Sequence, residues 1–311
     1  MVGNAGLDTE VFLDSDEVDL ARDSSFTRNV DVVGQAGAYC ARGFAALGRP
    51  AVFLGSLGDD PAGEQVTQSL HSAGVEVNTF IDPAGTARSV NLMTRDGSRR
   101  AFYDGRGHMD VEAPGDLVRR SLVGVRLAHF SLANWSRNLL APARRTGAVI
   151  SVDLQDVDGA DDPYRGDFVA AADALFMSAA HLRDPAATAR QLMERGAARV
   201  VVIGMGAEGV LTVRRRDASE TRGGTIPTEY NVSHCEPPDL DVPIVDTNGA
   251  GDGLAVGFLD AYALDGLSVG EAARRGQIVA RWTCGQVGGD DPLDRERLRQ
   301  IESGLTASSG P

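Results

Sequence analysis

The chain contains no lysine: all thirty of its basic side chains are arginine. It therefore cannot use a Walker A lysine, the lysine of protein kinases or a Schiff base. Cysteine is scarce, and Cys40, Cys235 and Cys284 form an odd, widely spaced set without a CxxC motif or paired histidines. This pattern argues against zinc and favours reduced thiols in a cytoplasmic protein. A phosphate-rich ligand would have to be held by backbone amides, arginine and a metal ion.

Long apolar runs and an excess of positive charge are also missing. No stretch is long enough to span a membrane, and the first residues lack the basic and apolar regions of a signal peptide. The formal net charge of −14 argues against nucleic acid and anionic membranes as partners. The 311 residues, of which 42% are hydrophobic, suffice for the core of one large domain.

The most informative segment is the heptapeptide Asp-Thr-Asn-Gly-Ala-Gly-Asp at residues 246–252. Residues 242–245 before it predict a short apolar strand, and the residues after it have helical spacing. The glycines therefore fall at the start of a helix, where free N–H groups and the helix dipole attract anions. Asp252 in the same turn suits a general base facing a substrate hydroxyl. An N-capping aspartate after a glycine turn is the alternative.

This heptapeptide resembles the signature of the ribokinase-like (PfkB-type) carbohydrate kinases, Asp-Thr-x-Gly-Ala-Gly-Asp, and matches it completely. The resemblance extends from Val2 to about Gly289. It implies transfer of the γ-phosphoryl group of ATP, with Mg²⁺, to a hydroxyl of a sugar or polyol. Asp252 would be the catalytic base, and Asp246 would help to bind a monovalent cation such as K⁺. The residues of the implied anion hole are Gly249, Ala250 and Gly251.

Runs of β-branched residues alternate with helical stretches along most of the chain. Runs such as Val149–Asp153 and Val200–Ile203 predict a parallel sheet covered by helices on both faces. The family implies the same α/β fold, a ribokinase-like three-layer α/β/α sandwich with a central, mostly parallel sheet. We assign residues 1–305 to a single kinase domain and residues 306–311 to a disordered tail. Before Gly3, relatives have four or five more apolar residues in the first strand.

Two half-apolar segments, at about residues 9–33 and 85–108, break this alternation. Within the second, residues 89–94 and 100–103 alternate around an Asp-Gly turn at 95–98, which predicts a hairpin. We predict a small antiparallel β-sheet projecting from the main body. By resemblance this sheet is a lid that covers the sugar and forms the interface of a homodimer. A surface hairpin without a role is the alternative.

The candidate acceptor-binding residues lie near the start of the chain. By resemblance, Asp8 is the aspartate at the end of the first strand that binds sugar hydroxyls, although a solvated loop aspartate is the alternative. By resemblance, the second sugar-binding motif of the family is a pair of glycines followed by an asparagine. In this chain Gly34 is the first glycine, Gln35 replaces the second, and Tyr39 replaces the asparagine. These changes predict a polyol other than ribose in its usual pose, or a substrate that stacks on Tyr39. Ala36 replaces a lysine and disfavours a phosphorylated acceptor. The lid arginines that could compensate are Arg88, Arg99, Arg100 and Arg106.

The nucleotide-binding candidates follow two other predicted strands. The glycine-rich residues 204–209 resemble the nucleotide segment of the family, with Gly204 in place of threonine, but a tight turn between strands explains the glycines equally well. Ser178 and His181 occupy the positions of the Asn-x-x-Glu motif, and histidine is a poor ligand for Mg²⁺. By resemblance, Gln277 corresponds to a residue that faces adenine in relatives. The alternative is that it lies on the packing face of an amphipathic helix. The nucleotide-binding candidates are Ser178, Gly204, Gly206, Gly209, Gly251 and Gln277.

Three functions therefore stay open. The leading one is an ATP-dependent kinase that phosphorylates a hydroxyl of a sugar or related polyol. A nucleoside kinase of the same fold is a second, because Tyr39 could stack on a base. A non-catalytic protein that senses nucleotide or sugar is the third, because the magnesium motif is degraded. Magnesium could instead be held by Asp153, Asp156 or the phosphates themselves.

Overall fold

A computed structural model of the protein describes residues 1–19, 21, 23–95, 99–216 and 230–308. The strands are Gly6–Phe12 (β1), Arg28–Gly34 (β2), Val52–Leu57 (β3), Glu76–Ile81 (β4), Ala87–Met93 (β5), Arg99–Asp104 (β6), Leu127–Phe130 (β7), Val149–Asp156 (β8), Ala174–Ser178 (β9), Val200–Gly204 (β10), Val210–Arg215 (β11) and Tyr230–Cys235 (β12). The helices are Gln35–Ala46 (α1), Pro61–Ser72 (α2), Gly115–Ser121 (α3), Arg137–Arg145 (α4), Gly166–Ala171 (α5), Pro185–Arg195 (α6), Ala250–Leu259 (α7), Val269–Thr283 (α8) and Arg295–Ser308 (α9). None of the helices in these residues has the length and apolar character needed to cross a membrane.

The main sheet is built around parallel strands. Six strands have the order β12-β11-β10-β9-β8-β7, in which β7 to β10 run parallel and β11 and β12 add an antiparallel edge. Strands β3 and β4 form a parallel pair of their own. Val2 connects the two groups, because it forms parallel bridges with Phe130 of β7 and Leu54 of β3. The predicted central, mostly parallel sheet is confirmed.

Alternate side chains of the central strands face two different layers of helices. In β10, Val201 and Ile203 join a core cluster with α3 to α6, whereas Val200 and Val202 join a cluster with α1, α7, α8 and α9. This two-residue period follows from the pleat of a strand. Because both faces are covered, these strands are apolar at nearly every position. The three-layer sandwich is thereby confirmed.

A second sheet, with the order β2-β1-β5-β6, corresponds to the predicted lid. Asp8 and Glu10 of β1 are buried against the body, whereas Val90 and Phe102 on the other face are 42% and 51% exposed. The hairpin between β5 and β6 is confirmed, although residues 96–98 of its turn lie outside the described residues. The predicted all-antiparallel pairing was wrong, because β1 and β5 run parallel. The chain between them contains β3, α2 and β4 and supplies the long crossover that parallel pairing needs.

The strand predicted for residues 242–245 is absent. These residues have no regular secondary structure, and Ile244 is 63% exposed. The backbone N–H groups of Val245 and Asp246 both donate to the carbonyl oxygen of Cys284, at 2.8 and 3.1 Å. The carbonyl oxygen of Val242 accepts from the guanidinium of Arg281, so the segment is tied to the end of α8 rather than to a neighbouring strand. An apolar run without a partner strand cannot form a ladder.

The end of the chain is more ordered than predicted. Helix α9 runs to Ser308 and so extends three residues into the tail predicted for residues 306–311. Leu298 of this helix is fully buried in the cluster with α7 and α8, which fixes the helix to the body. Residues 309–311 lie outside the described part of the chain.

A buried carboxylate holds the far end of α7. Asp260 is fully buried and accepts hydrogen bonds from Arg49 at 2.7 Å, and from Arg275 and Arg295 at 2.8 Å each. The three guanidinium groups come from the segment before β3, from α8 and from α9. One side chain therefore connects three parts of the layer that carries the heptapeptide.

We predict that Asp260→Asn lowers the free energy of unfolding by about 3 kcal/mol, because three largely buried guanidinium groups lose their shared negative charge. The matched control is Asp265→Asn, since Asp265 binds Arg49 and Arg275 but its side chain is 32% exposed. That change should cost about 1 kcal/mol or less. Urea unfolding at neutral pH measures both values. Equal losses in the two variants would contradict this account.

Candidate active site

The heptapeptide forms the turn that leads into α7. Gly249 precedes the helix with a φ of 77°, a left-handed conformation that glycine adopts without strain. A Cβ atom at this position would also lie 3.3 Å from the ring of Tyr39. Gly251 is exposed instead, and a Cβ atom there would meet nothing within 4 Å. The first turn of α7 therefore presents accessible backbone at the helix end that attracts anions.

Asp252 lies in the same first turn of α7. Its Oδ1 atom accepts a hydrogen bond from the thiol of Cys40 on α1, with 3.6 Å between Sγ and Oδ1. Burial and the negative charge of Asp153 raise the pKa of Asp252 to about 7, against the opposing effect of the thiol. At neutral pH the carboxyl group is therefore divided between its charged and neutral forms. A group with this pKa can accept a proton and release it again.

Asn248 of the heptapeptide joins the body to the lid. Its Nδ2 atom donates to Oε1 of Glu10 at 2.8 Å, to the hydroxyl of Tyr39 at 3.1 Å and, more weakly, to Oδ2 of Asp8 at 3.4 Å. Burial raises the pKa of Asp8, and it raises the pKa of Glu10 to about 7. Asp8 lies inside lid strand β1 and not, as predicted, at the end of the first body strand.

Glu10 is a site residue that was not predicted from the sequence. It is fully buried and also accepts a hydrogen bond from Nδ2 of Asn91 at 3.0 Å. Glu10 could have been predicted, because residues two apart on a strand lie on the same face. A strand that contains both Asp8 and Glu10 therefore places their side chains next to each other. We predicted that a strand ends at Asp8, and a strand with that end does not include Glu10.

The altered glycine motif surrounds Asp8. A Cβ atom at Gly34 would overlap with Oδ2 of Asp8, so this position requires glycine. Gln35 donates its N–H group to the same oxygen at 3.2 Å and has a φ of 66°, which explains why relatives have glycine there. Tyr39 is only 8% exposed, and its ring packs beside Gly249, which leaves little of the ring accessible for the predicted stacking on a substrate. Only its hydroxyl group reaches the cluster.

Several buried polar atoms of this cluster have no hydrogen-bond partner among the described residues. They are Oδ1 of Asp8, Oε2 of Glu10 and both side-chain amide atoms of Gln35. Unpaired buried polar groups are costly, and folded proteins contain few of them. Their concentration at the junction of lid and body therefore marks a place where a polar molecule would be bound.

The predicted nucleotide residues lie at the ends of neighbouring strands. Ser178 and Gly204 are paired in register at the ends of β9 and β10. The following glycines form the hairpin turn into the antiparallel strand β11, with Met205 N–H bonded to the carbonyl of Gly209 at 2.8 Å. Gly206 and Gly209 have φ values of 60° and 95°. This agrees with the tight-turn alternative, and nucleotide binding by these residues remains a prediction.

No cluster of three or more acidic, histidine or cysteine residues that could hold a metal occurs within the described residues. Asp153, on β8, is near enough for its charge to raise the pKa of Asp252. Ser178 is half-buried and His181 is exposed in the turn after β9. Magnesium typically takes one or two carboxylates and completes its shell with phosphate oxygens and water. Asp153 with the nucleotide phosphates fits that donor set.

The two remaining candidates are buried. Asp246 is 1% exposed, and its carboxylate oxygens accept the backbone N–H groups of Asn248 at 2.8 Å and Gly288 at 2.9 Å. It thus ties the heptapeptide to the turn that follows α8. Gln277 is 5% exposed on α8, which is compatible with a packing position. A cation at Asp246 and an adenine contact at Gln277 remain predictions.

The fold and the glycine turn are those of a phosphotransferase of the ribokinase type, and comparison with known proteins agrees. A family model described as pfkB family carbohydrate kinase matches residues 12–125 and 168–296. The chain is 31% identical over 289 residues to the acarbose 7(IV)-phosphotransferase of an Actinoplanes species, covering 91% of both chains. It is 28% identical to the ATP-dependent ribose-1-phosphate kinase of Halopiger xanaduensis, covering 82% of this chain and 81% of that one.

Solved structures give the same result. The microbiome-derived acarbose kinase Mak1 is 34% identical, with a TM-score of 0.85 and 97% of both chains covered. A ribokinase of Arabidopsis thaliana, complexed with ribose and ATP, has a TM-score of 0.73 over 96% of both chains. At 20% identity, that likeness concerns the fold alone. The chain belongs to the pfkB family of carbohydrate kinases, and the predicted family, fold and enzyme class are confirmed.

We predict that the carboxyl group of Asp252 titrates near pH 7. Cys40→Ala should raise this pKa, because the hydrogen bond from the Cys40 thiol favours the charged form and is lost in the variant. Carbon-13 NMR of aspartate-labelled protein measures the titration, with Asp252→Asn to assign the signal. The matched control Cys235→Ala should leave it unchanged. Titration of wild-type Asp252 near pH 4 would rule out this description of the site.

Proposed function

We propose that the protein transfers the γ-phosphoryl group of ATP to a hydroxyl group of a sugar or related polyol, with acarbose as the first acceptor to test. The observation that carries this proposal is Asp252, a carboxyl group with a pKa of about 7 beside the accessible backbone of Gly251 at the start of α7. Such a pair can take a proton from an alcohol and hold the negative charge of a phosphoryl group.

In the proposed reaction, Asp252 removes the proton of the acceptor hydroxyl as its oxygen forms a bond to the γ-phosphorus. The bond between that phosphorus and the bridging oxygen breaks, and its electron pair remains on ADP. The N–H groups from Gly249 to Gly251 hold the negative charge of the group in transfer. Asp252 then releases the proton to solvent. Positioning and charge stabilisation supply most of the rate in such transfers.

The proposed ATP site lies along the strand ends beside α7. Asp153 and the phosphates would hold Mg²⁺, which neutralises phosphate charge and orients the γ-phosphoryl group when bound. Asp246 would lie next to a monovalent cation such as K⁺, whose positive charge would support the anion hole. The side chains and turns proposed to contact the nucleotide are Ser178, Gly204, Gly206, Gly209 and Gln277.

The acceptor would bind between lid and body. Asp8, Glu10 and Gln35 hold the polar atoms that lack partners, and a molecule with several hydroxyl groups would satisfy them. Acarbose is favoured over ribose for two reasons. Two relatives at 31% and 34% identity are named as acarbose kinases. Gln35 also fills a position that ribokinase-like sugar kinases leave to glycine.

We predict that acarbose or another unphosphorylated polyol gives acceptor-dependent ADP release and that Asp252→Asn lowers kcat by about 1,000-fold, because the amide cannot take the proton. The panel contains acarbose, ribose, ribose 1-phosphate and adenosine, each with Mg²⁺ or Mn²⁺. The matched control is Asp241→Asn, an exposed aspartate that should keep wild-type turnover.

Three outcomes would contradict the proposal, each in favour of a different function. Fastest turnover of adenosine would indicate a nucleoside kinase, and fastest turnover of ribose 1-phosphate would indicate a phosphosugar kinase. Thermal stabilisation by sugar or ATP without turnover, at every metal concentration, would indicate the sensing protein.

The lid is also the proposed interface with a second copy of the chain. Its outer face carries Val90 and Phe102, both large apolar side chains that are about half exposed. Burying such side chains against their copies contributes roughly 25 cal/mol for each Å² removed from water. A twofold dimer uses the same face on both copies, so each apolar residue counts twice.

We predict that the wild-type protein is a dimer and that Phe102→Asp weakens dimerisation at least about 10-fold, because it places a charge in an apolar interface. Sedimentation equilibrium measures the association constant. The matched control is Val123→Asp, at an apolar side chain that is 79% exposed outside the lid. A monomeric wild-type protein, or an equal effect of Val123→Asp, would contradict the lid interface.

A further inference from the structure

The active site has a deficit of positive charge. Its described side chains include five carboxyl groups, and ATP would add a further set of negative charges. The five are Asp8, Glu10, Asp153, Asp246 and Asp252. The chain has no lysine, and its formal net charge is −14, so the overall field also opposes a bound nucleotide. Magnesium and the amides of α7 offset part of this repulsion, which leaves a need for an arginine near the transferred group.

Three arginines are close enough to act on these carboxyl groups, and two of them are already occupied. Arg42 affects Asp8, but its guanidinium forms an ion pair with Asp290 and binds two backbone carbonyls. Arg165 affects Asp153, but its guanidinium forms an ion pair with Asp162 and binds two backbone carbonyls. Arg99 lowers the pKa of both Asp8 and Asp252, so its charge reaches the acceptor cluster and the proposed base. Among the described residues, no carboxylate forms an ion pair with Arg99.

Arg99 belongs to the lid and lies at the active site. It is the first residue of β6, and its Nη1 atom donates to Oδ1 of Asn248. That amide oxygen is neutral, and it is the one hydrogen-bond partner of the guanidinium among the described residues, whereas a guanidinium carries five N–H groups. Asn248 directly precedes Gly249, where the proposed anion hole begins. The contact therefore holds a planar, permanently charged group beside the turn that receives the phosphoryl group.

We propose that Arg99 is a catalytic residue, which the lid carries to the γ-phosphoryl group so that its guanidinium binds the phosphoryl oxygens during transfer. This inference rests on the proposed function. The bonds that form and break are those given above, and Arg99 stays protonated throughout. Its N–H groups match the geometry of phosphate oxygens, and their binding strengthens as charge develops on those oxygens. Because Arg99 belongs to the lid, it would act only when the lid covers the site, which also limits hydrolysis of ATP by water.

The test compares Arg99→Gln, Arg99→Lys and Arg28→Gln with the wild type on the best unphosphorylated acceptor. Arg28 is the matched control, because it is an exposed arginine on lid strand β2 whose guanidinium lies 4.1 Å from the ring of Phe12. We expect Arg99→Gln to lower kcat by about 100-fold or more, with the acceptor KM within about 3-fold of wild type. Arg99→Lys should recover about 10-fold, and Arg28→Gln should stay within about 2-fold.

The pH dependence of kcat/KM provides a second test, because it should not change if the role of Arg99 is purely structural. Loss of the positive charge of Arg99 should shift the acidic limb of kcat/KM to higher pH, since Arg99 lowers the pKa of Asp252. The inference is overturned if Arg99→Gln keeps kcat within about 3-fold of wild type. It is also overturned if only the KM of a phosphorylated acceptor changes, because Arg99 would then bind the acceptor's phosphate.

A binding measurement separates this inference from the proposed function. Calorimetry gives the affinities of the wild type and Arg99→Gln for ADP and for AMP-PNP, which carries a third phosphoryl group. We expect Arg99→Gln to lower the ratio of AMP-PNP to ADP affinity at least about 5-fold, with ADP affinity unchanged. If no acceptor is turned over by the wild type, the proposed function fails and this ratio alone decides on Arg99. An unchanged ratio then overturns the inference.

Discussion

The burial of carboxyl groups, reinforced by repulsion between them, sets the chemistry of this site. Asp252 is held in the first turn of α7, where burial and the charge of Asp153 raise its pKa to about 7. An ordinary exposed aspartate would stay charged at neutral pH and would have little tendency to take up a proton. The fold maintains this unfavourable arrangement because α7 is fixed at its far end by Asp260 and its three arginines.

Buried carboxyl groups with raised pKa values also lie on the acceptor side of the site. Asn248 donates to Glu10 and Asp8 through one side-chain atom and accepts from Arg99 through the other, so a single amide connects the lid, the acidic cluster and the heptapeptide. An acceptor that enters the cluster would compete for these bonds. In the proposed reaction, binding of the acceptor and closure of the lid would therefore be coupled through the residue next to the proposed anion hole.

The main body could be predicted from the sequence because its signals are local. Unbroken runs of β-branched residues predicted the parallel strands, and the glycine turn predicted the start of α7 correctly. The failures concern contacts between distant residues. The segment at 242–245 looks like a strand but has no partner strand, and the parallel pairing of β1 with β5 depends on chain that lies between them. Glu10 could be predicted as a site residue only with the correct bounds of β1. The burial of Tyr39 depends on its packing against Gly249, which is far away in the sequence.

The most direct test of the account is the pH dependence of kcat/KM with the best acceptor, measured from about pH 5 to pH 9. We predict that the rate falls at least about tenfold for each pH unit below an apparent pKa near 7, because the proton on Asp252 blocks its role as a base and Glu10 of the acceptor cluster also takes up a proton near this pH. A rate that is level across this range, or that falls only near pH 4, would contradict the central claim.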